Sequence, residues 1–181
     1  MSQLALDRLK EKFGAAILET HNLRGDDTAV VAPAQIVEIC QFLKNDEALD
    51  FKLLESVTAV DRMLLPEASP RFEVIYHLYS LSQNKRLRLK VRLDEAAPGK
   101  FPELATTSTV WKTADWWERM VWDMYGIKFT GHKNLKRLYM YEEFVGHPLR
   151  KDYPLKGRQP LVEERDFRDL VRGPGASPKT S

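Results

Sequence analysis

The run KRLRLKVRL, residues 85–93, constrains this chain more than any other stretch. Leu87, Leu89, Val91 and Leu93 alternate strictly with Arg86, Arg88, Lys90 and Arg92. A period of two sends successive side chains to opposite faces of a strand, whereas a helix would scatter both sets. The preceding run RFEVIYHLYSL has the same extended character, and SQN joins the two, which predicts a hairpin. One face of the second strand is core. The other is a row of four cations, read as a solvated sheet face or, more sharply, as a surface for an acidic partner.

A hairpin needs further strands and a covering layer. Leu4, Leu6, Leu9 and Phe13 recur at roughly helical spacing before Gly14, a helix stop. AAILETHNL and TAVVA read as two strands with RGDD as their turn. Pro33 opens a second helix whose apolar stripe is Ile36, Ile39, Cys40 and Leu43. FKLLESVTAVDRML reads as a strand with a polar end, and PEASP and DEAAPGKFPEL read as loops. Thr113 is placed as the N-cap of a helix over 114–125, with Asp115 in its first turn and Gly126 as its stop. The expected class is α+β: a two-layer domain over 1–130 with a mixed β-sheet packed on helices, then an extended, mostly irregular C-terminal segment over 131–181.

That last segment has its own composition. It holds five of the nine glycines and five of the ten prolines, and eleven basic residues against seven acidic ones. The whole chain carries only +2, so the body before it is slightly acidic. Disordered tails are poor in large apolar residues. This one contains Leu135, Leu138, Tyr139, Met140, Tyr141, Phe144, Val145, Leu149, Tyr153 and Leu155, with more beyond. Something must cover them, either the chain's own domain or a partner. Only GPGASPKTS reads as disordered, and no internal repeat is present.

Composition excludes several classes. With 181 residues the chain buries enough surface to need no staple, and its single Cys40 can neither form an internal disulfide nor hold an iron–sulfur cluster. No stretch approaches the ~18 apolar residues of a membrane span. The N-terminus has neither an apolar signal core nor a transit-peptide pattern. The phosphate-cradling glycine motifs are absent. His132 and His147 each follow a glycine, but two histidines fall short of the usual metal-ligand count, so hydrogen bonds to backbone or across an interface are expected of them. Cys40 on an apolar stripe reads as a small hydrophobe. Glu142–Glu143 and Glu163–Glu164 read as solvated surface.

On a wheel for 114–125, Trp116, Trp117, Met120, Val121, Met124 and Tyr125 fill one half. Glu118, Arg119 and Asp123 lie on the other, with Arg119 and Asp123 as an i,i+4 pair and Trp122 among them. A large aromatic between charges suits an interface hot spot. It also suits a residue covered by the chain's own tail. Both readings bury that face in the working protein.

The segment ERMVWDMYGIKFTGHKNLKRLY, with GHPLRKDYPLKGRQP after it, resembles the NuoC-type subunit of proton-pumping NADH:quinone oxidoreductase, respiratory complex I. Glu118, Arg119, Asp123, Met124, Tyr125, His132 and Lys136 occupy the positions of the family signature. The second hallmark spans 146–160 and includes His147, Arg150, Lys151, Asp152 and Tyr153. One departure is Met120, where the family usually has a glutamate, and it falls on the core half of the wheel. The resemblance implies a subunit of the peripheral arm without a cofactor of its own. FMN, the iron–sulfur clusters and quinone would belong to neighbouring subunits. The tail would pack along the homologue of the subunit that helps form the quinone site, and beside cluster-bearing subunits. Catalytic and metal-binding residues are then not expected here. The residues expected at the partner interface are Glu118, Arg119, Trp122, Asp123, His132, Lys136, His147, Arg150, Lys151, Asp152 and Tyr153. The expected location is peripheral, on the cytoplasmic face of a bacterial inner membrane, with membrane association indirect.

Three other readings stand beside it. A ferredoxin-dependent quinone oxidoreductase or membrane-bound hydrogenase uses a similar subunit with another electron donor module. A free-standing enzyme would need a pocket of convergent polar groups. A nucleic-acid binder built on residues 86–92 lacks interleaved exposed aromatics, so nucleic acid is not expected as a partner.

Overall fold

A computed structural model of the chain describes residues 3–66, 69–95, 97, 99–157 and 159. In chain order the elements are α1 (Gln3–Phe13), β1 (Ile17–Leu23), β2 (Asp26–Val31), α2 (Ile36–Asn45), β3 (Leu53–Asp61), β4 (Phe72–Ser80), β5 (Lys85–Leu93), β6 (Glu103–Ala105), α3 (Ala114–Tyr125) and β7 (Lys128–Thr130). The fold is α+β, and it lays a five-stranded sheet of order β1-β2-β5-β4-β3 against helices. Only the β2–β5 pair within it is parallel, so the sheet is mixed.

The predicted hairpin sits at its centre. β4 and β5 pair from Phe72↔Leu93 to Ser80↔Lys85 without a break. Leu87, Leu89, Val91 and Leu93 enter the core beside Val74, Tyr76 and Leu78. The opposite face settles how the four cations are spent. Arg88 lies 2.9 Å from Asp26, Lys90 2.9 Å from Glu73, Arg92 3.0 Å from Glu19 and 3.5 Å from Glu73, and Arg86 3.8 Å from Glu55. The other strands of the sheet supply a carboxylate for each cation. The row is therefore a neutralised sheet face rather than a free basic one.

α1 and α2 cover the core side. Ala5, Leu6 and Leu9 of α1 are buried, as are Ile36, Ile39, Cys40 and Leu43 of α2. Arg8 Nη1 bonds both oxygens of Asp46, at 2.6 Å each, and ties α1 to the end of α2. Pro33 begins a 3-10 turn, Pro33–Gln35, so α2 starts three residues after it rather than at it. The β1–β2 turn contracts to Arg24 and Gly25, both at positive φ, because Asp26 and Asp27 join the strand. β3 ends at Asp61, short of the expected Leu64, and Asp61 turns inward as a buried carboxylate.

Two further departures matter for the site. The expected loop at 94–104 contains β6, which pairs in parallel with β7 on the far side of α3. Thr113 has helical dihedrals and makes no side-chain cap, because the turn 107–111 already leads into the helix. At the other end Gly126 adopts the left-handed conformation (φ 70°), and its N–H reaches the carbonyl of Trp122 at 2.8 Å. From 131 to 157 no regular helix or strand is present, as expected, and the remainder of the predicted tail, with its disordered end, lies outside the described residues. Among the described residues no helix is long and apolar enough to cross a membrane.

Candidate partner interface

α3 carries the signature residues, and the structure redistributes them. Val121 and Met124 are buried as the wheel predicts, but Trp116 is 60% exposed while Glu118 and Asp123 are 0% exposed. The wheel assumes that charge faces water. Here irregular chain on both sides of α3 presents hydrogen-bond donors that need buried acceptors.

Glu118 meets the chain just after β6. It accepts the backbone N–H of Thr107 at 2.7 Å, the Thr107 hydroxyl at 2.8 Å and the Thr106 hydroxyl. Burial pushes its carboxyl above the ordinary carboxylate range, and these bonds offset only part of that. β6 thus positions the partners of a residue on α3.

Asp123 meets the tail. Its Oδ2 accepts three successive backbone N–H groups, from Leu138, Tyr139 and Met140, at 3.0, 2.7 and 2.9 Å. Its Oδ1 lies 2.7 Å from Arg137 Nη1, whose other amino group donates to the carbonyls of Phe144 and Gly146. Burial works to raise the Asp123 pKa. The donors from Met140, Tyr139, Arg137 and Leu138 together outweigh it and hold the carboxyl below its usual range. The predicted Arg119–Asp123 pair is replaced by this one. Arg119 instead donates to the carbonyls of Lys136 and Arg137 at 3.3 and 3.1 Å.

The second hallmark returns over the end of α3. His147 Nδ1 lies 3.0 Å from the Asp123 carbonyl, and burial holds the imidazole below its ordinary pKa. Trp122, Phe101 and His147 form an edge-to-face triangle with centroids 5.1–5.5 Å apart. Trp122 is therefore covered by the chain's own loop and tail. Gly126 permits this approach, since a Cβ there would stand 2.6 Å from the His147 ring. Arg150 Nε donates to the last helical carbonyl, Tyr125, at 2.6 Å, and Nη1 reaches Glu95 at 2.8 Å. A cation at a helix C-terminus complements the macrodipole. Lys151 donates its N–H to Asp61 at 2.9 Å, and Asp152 lies 3.0 Å from Arg71, which itself holds Asp61 at 2.8 Å. Tyr153 stacks on Phe144. His132 sits between Asp115 and Asn134. Its Nδ1 accepts the Asn134 N–H, so Nε2 donates to the Asp115 carbonyl at 3.1 Å.

The structure thus brings Trp122, Asp123, His147, Arg150, Lys151, Asp152 and Tyr153 together in one intrachain attachment. Glu118 and His132 flank it at the other end of α3. As placed, Glu118 and Asp123 offer no surface to a partner. Arg119, Lys136, Lys151 and Asp152 keep solvent-facing surface. Asp61, Arg71, Glu95, Phe101 and Arg137 belong to the same construction, and sequence reasoning misses them. The polar end of the β3 segment is a faint signal for Asp61, and nothing local marks Phe101. Beyond the attachment, Tyr139, Tyr141, Val145, Leu149 and Leu155 are 44–100% exposed. Among the described residues no group of three or more His, Cys, Asp or Glu is placed to hold a metal ion. Cys40 is fully buried in the core, and that burial pushes its thiol pKa up.

Comparison with known proteins gives four findings. Residues 29–159 match the family described as respiratory-chain NADH dehydrogenase, 30 Kd subunit. An NADH-quinone oxidoreductase subunit of the C type from Rhizobium etli is 47% identical, over 95% of this chain and 94% of that protein. The C-type subunit from Geobacter sulfurreducens is 46% identical, over 84% and 90%. Among solved structures, a chain of the membrane-bound sulfane sulfur reductase (MBS), an archaeal respiratory membrane complex, superposes with a TM-score of 0.69. It covers 86% of both chains, and at 22% identity that likeness speaks to the fold alone.

Proposed function

This chain belongs to the family of the 30 Kd subunit of respiratory-chain NADH dehydrogenase, and from that membership we propose that it is a structural subunit of the peripheral arm of NADH:quinone oxidoreductase. It supports electron transfer from NADH through iron–sulfur clusters to quinone, coupled to proton translocation. It contributes no catalytic residue and holds no cofactor of its own; FMN, the clusters and quinone reside in neighbouring subunits.

One observation carries the reading. The tail is tied to α3 by Asp123, His147 and Arg150, yet it leaves Tyr139, Tyr141, Val145, Leu149 and Leu155 turned to solvent. A chain that anchors a segment and then exposes its apolar side chains is presenting that segment to another protein. The partner is the quinone-site subunit, with cluster-bearing subunits alongside. The chain then sits peripherally on the cytoplasmic face of a bacterial inner membrane, held there through the complex. The alternative donor modules are favoured less, since the chain is 47% identical to an NADH-quinone oxidoreductase subunit over nearly the whole of both proteins.

The test is purification of the tagged chain from gently solubilised membranes. Co-elution with the quinone-site subunit, cluster-bearing subunits and NADH-oxidising activity is expected. Recovery of the chain only as a free monomer would overturn the proposal, and a different donor module would overturn the choice of family member.

A further inference from the structure

Among the described residues, Trp116 is the one aromatic of α3 left exposed. It is 60% exposed, and the Arg119 guanidinium lies 4.8 Å over its ring. Beside it runs a groove of about 390 Å³ lined by Lys112, Asp115, Trp116 and Lys133 with Ser108 and Thr109. Arg119, over the Trp116 ring, adds a third cation at the border of the groove.

Among the described residues these cations have no carboxylate partner. Arg119 uses its donors on two carbonyls, which cancel no charge. Among the described residues no carboxylate lies within ion-pair distance of Lys112, Arg119, Lys133 or Lys136, whereas Arg86, Arg88, Lys90 and Arg92 of β5 each have one. The single acid of the groove, Asp115, has its Oδ1 3.2 Å from His132, and Lys112, Lys133 and Arg119 outnumber it. Three cations around an exposed tryptophan, none with a carboxylate at ion-pair distance among the described residues, are favourable only when the desolvating partner brings negative charge.

We propose that this groove docks an acidic segment of a neighbouring protein subunit, with an apolar group on Trp116 and carboxylates on Lys112 and Lys133. The proposal rests on the subunit reading and adds a second contact to it, on the opposite end of α3 from the tail attachment. It is separate from the tail's exposed apolar side chains. Its electrostatic part weakens as salt rises, because the lysines are exposed.

The test places a photo-crosslinker in the full chain, Trp116→p-benzoylphenylalanine, and irradiates the assembled complex in membranes. Sequencing the adduct should return a peptide of another subunit with net negative charge. In parallel, the double variant Lys112→Glu, Lys133→Glu should lower incorporation about tenfold, steepest at low salt, with the thermal unfolding of the isolated chain unchanged. Adducts to a neutral or basic peptide, to a second copy of the chain or to nucleic acid would overturn the proposal. So would an assembled complex without an adduct, or wild-type incorporation of the double variant. A wild-type chain that never enters the complex overturns the subunit reading, and this one with it. A wild-type chain that assembles while the groove stays uncrosslinked overturns the groove alone.

Discussion

Arg137 and Asp123 stand 2.7 Å apart with the aspartate carboxylate wholly enclosed, and between them they fix the first half of the tail to α3. Asp123→Ala would strand three backbone N–H groups and a guanidinium at once. Removing one partner of a buried ion pair costs about 3–5 kcal/mol. The expected outcome is a chain whose residues 137–147 exchange amide protons freely while the sheet stays protected, read by hydrogen exchange. Uniform loss of protection would show that tail and sheet unfold as one unit.

Acidification should spare the Asp123–Arg137 pair itself over the ordinary range, whereas His147, held below its ordinary 6.5, gives up stability as the pH falls below that value. A carboxyl held below its unfolded value of 3.8 contributes stability that is present above that value and lost only as the pH falls through the lower folded one. Glu118 has the opposite sign. Its folded pKa lies above the unfolded 4.5, so its contribution is full below 4.5 and declines as the pH rises toward the folded value. Denaturation of the wild type and Glu118→Gln at a series of pH values should therefore give a stability difference that shifts in favour of the variant from about pH 4 upward. A pH-independent difference would refute the assignment.

Gly126→Ala should be among the most damaging single-methyl changes in the chain. The left-handed φ of 70° alone costs a non-glycine residue about 1–2 kcal/mol. The added Cβ also meets the His147 ring at 2.6 Å. Urea denaturation should show a loss of at least about 2 kcal/mol. A neutral result would mean that the His147 segment moves aside at little cost.

Trp122→Ala removes a ring from the triangle with Phe101 and His147. Truncation of a largely covered tryptophan costs about 3 kcal/mol. The isolated chain should lose that stability on its own, without any partner present. Unchanged thermal unfolding alongside failed assembly would make Trp122 a partner contact instead.

The sheet is legible in the sequence because its signal is local. Alternation in 85–93 names Leu87, Leu89, Val91 and Leu93 as core, and the same four residues are buried. The stripe Ile36, Ile39, Cys40 and Leu43 is legible for the same reason, at helical period. Glu118 and Asp123 stand out as functional positions, yet a wheel puts them on the surface. Their partners lie 11–17 residues away, in irregular chain that no wheel of α3 contains. Local pattern leaves Trp122 undecided because Phe101, its nearest ring, comes from a loop with no periodicity. The cations of β5 and the carboxylates that meet them are both visible in the sequence. Cross-strand pairing decides who meets whom, and β2 beside β5 is a non-sequential neighbour.

The triple acceptor at Asp123 has a metric consequence. Its Oδ1 partner lies 14 residues on, at Arg137, and the Oδ2 donors follow in the next three positions. The intervening chain passes through Gly126, β7 and the His132 turn, each held by its own bonds. The stretch therefore works as a ruler. Inserting or deleting a single residue within it would put the wrong amides opposite the carboxylate, although every side chain of the anchor was still encoded. The tail is thus tuned by chain length as well as by residue type.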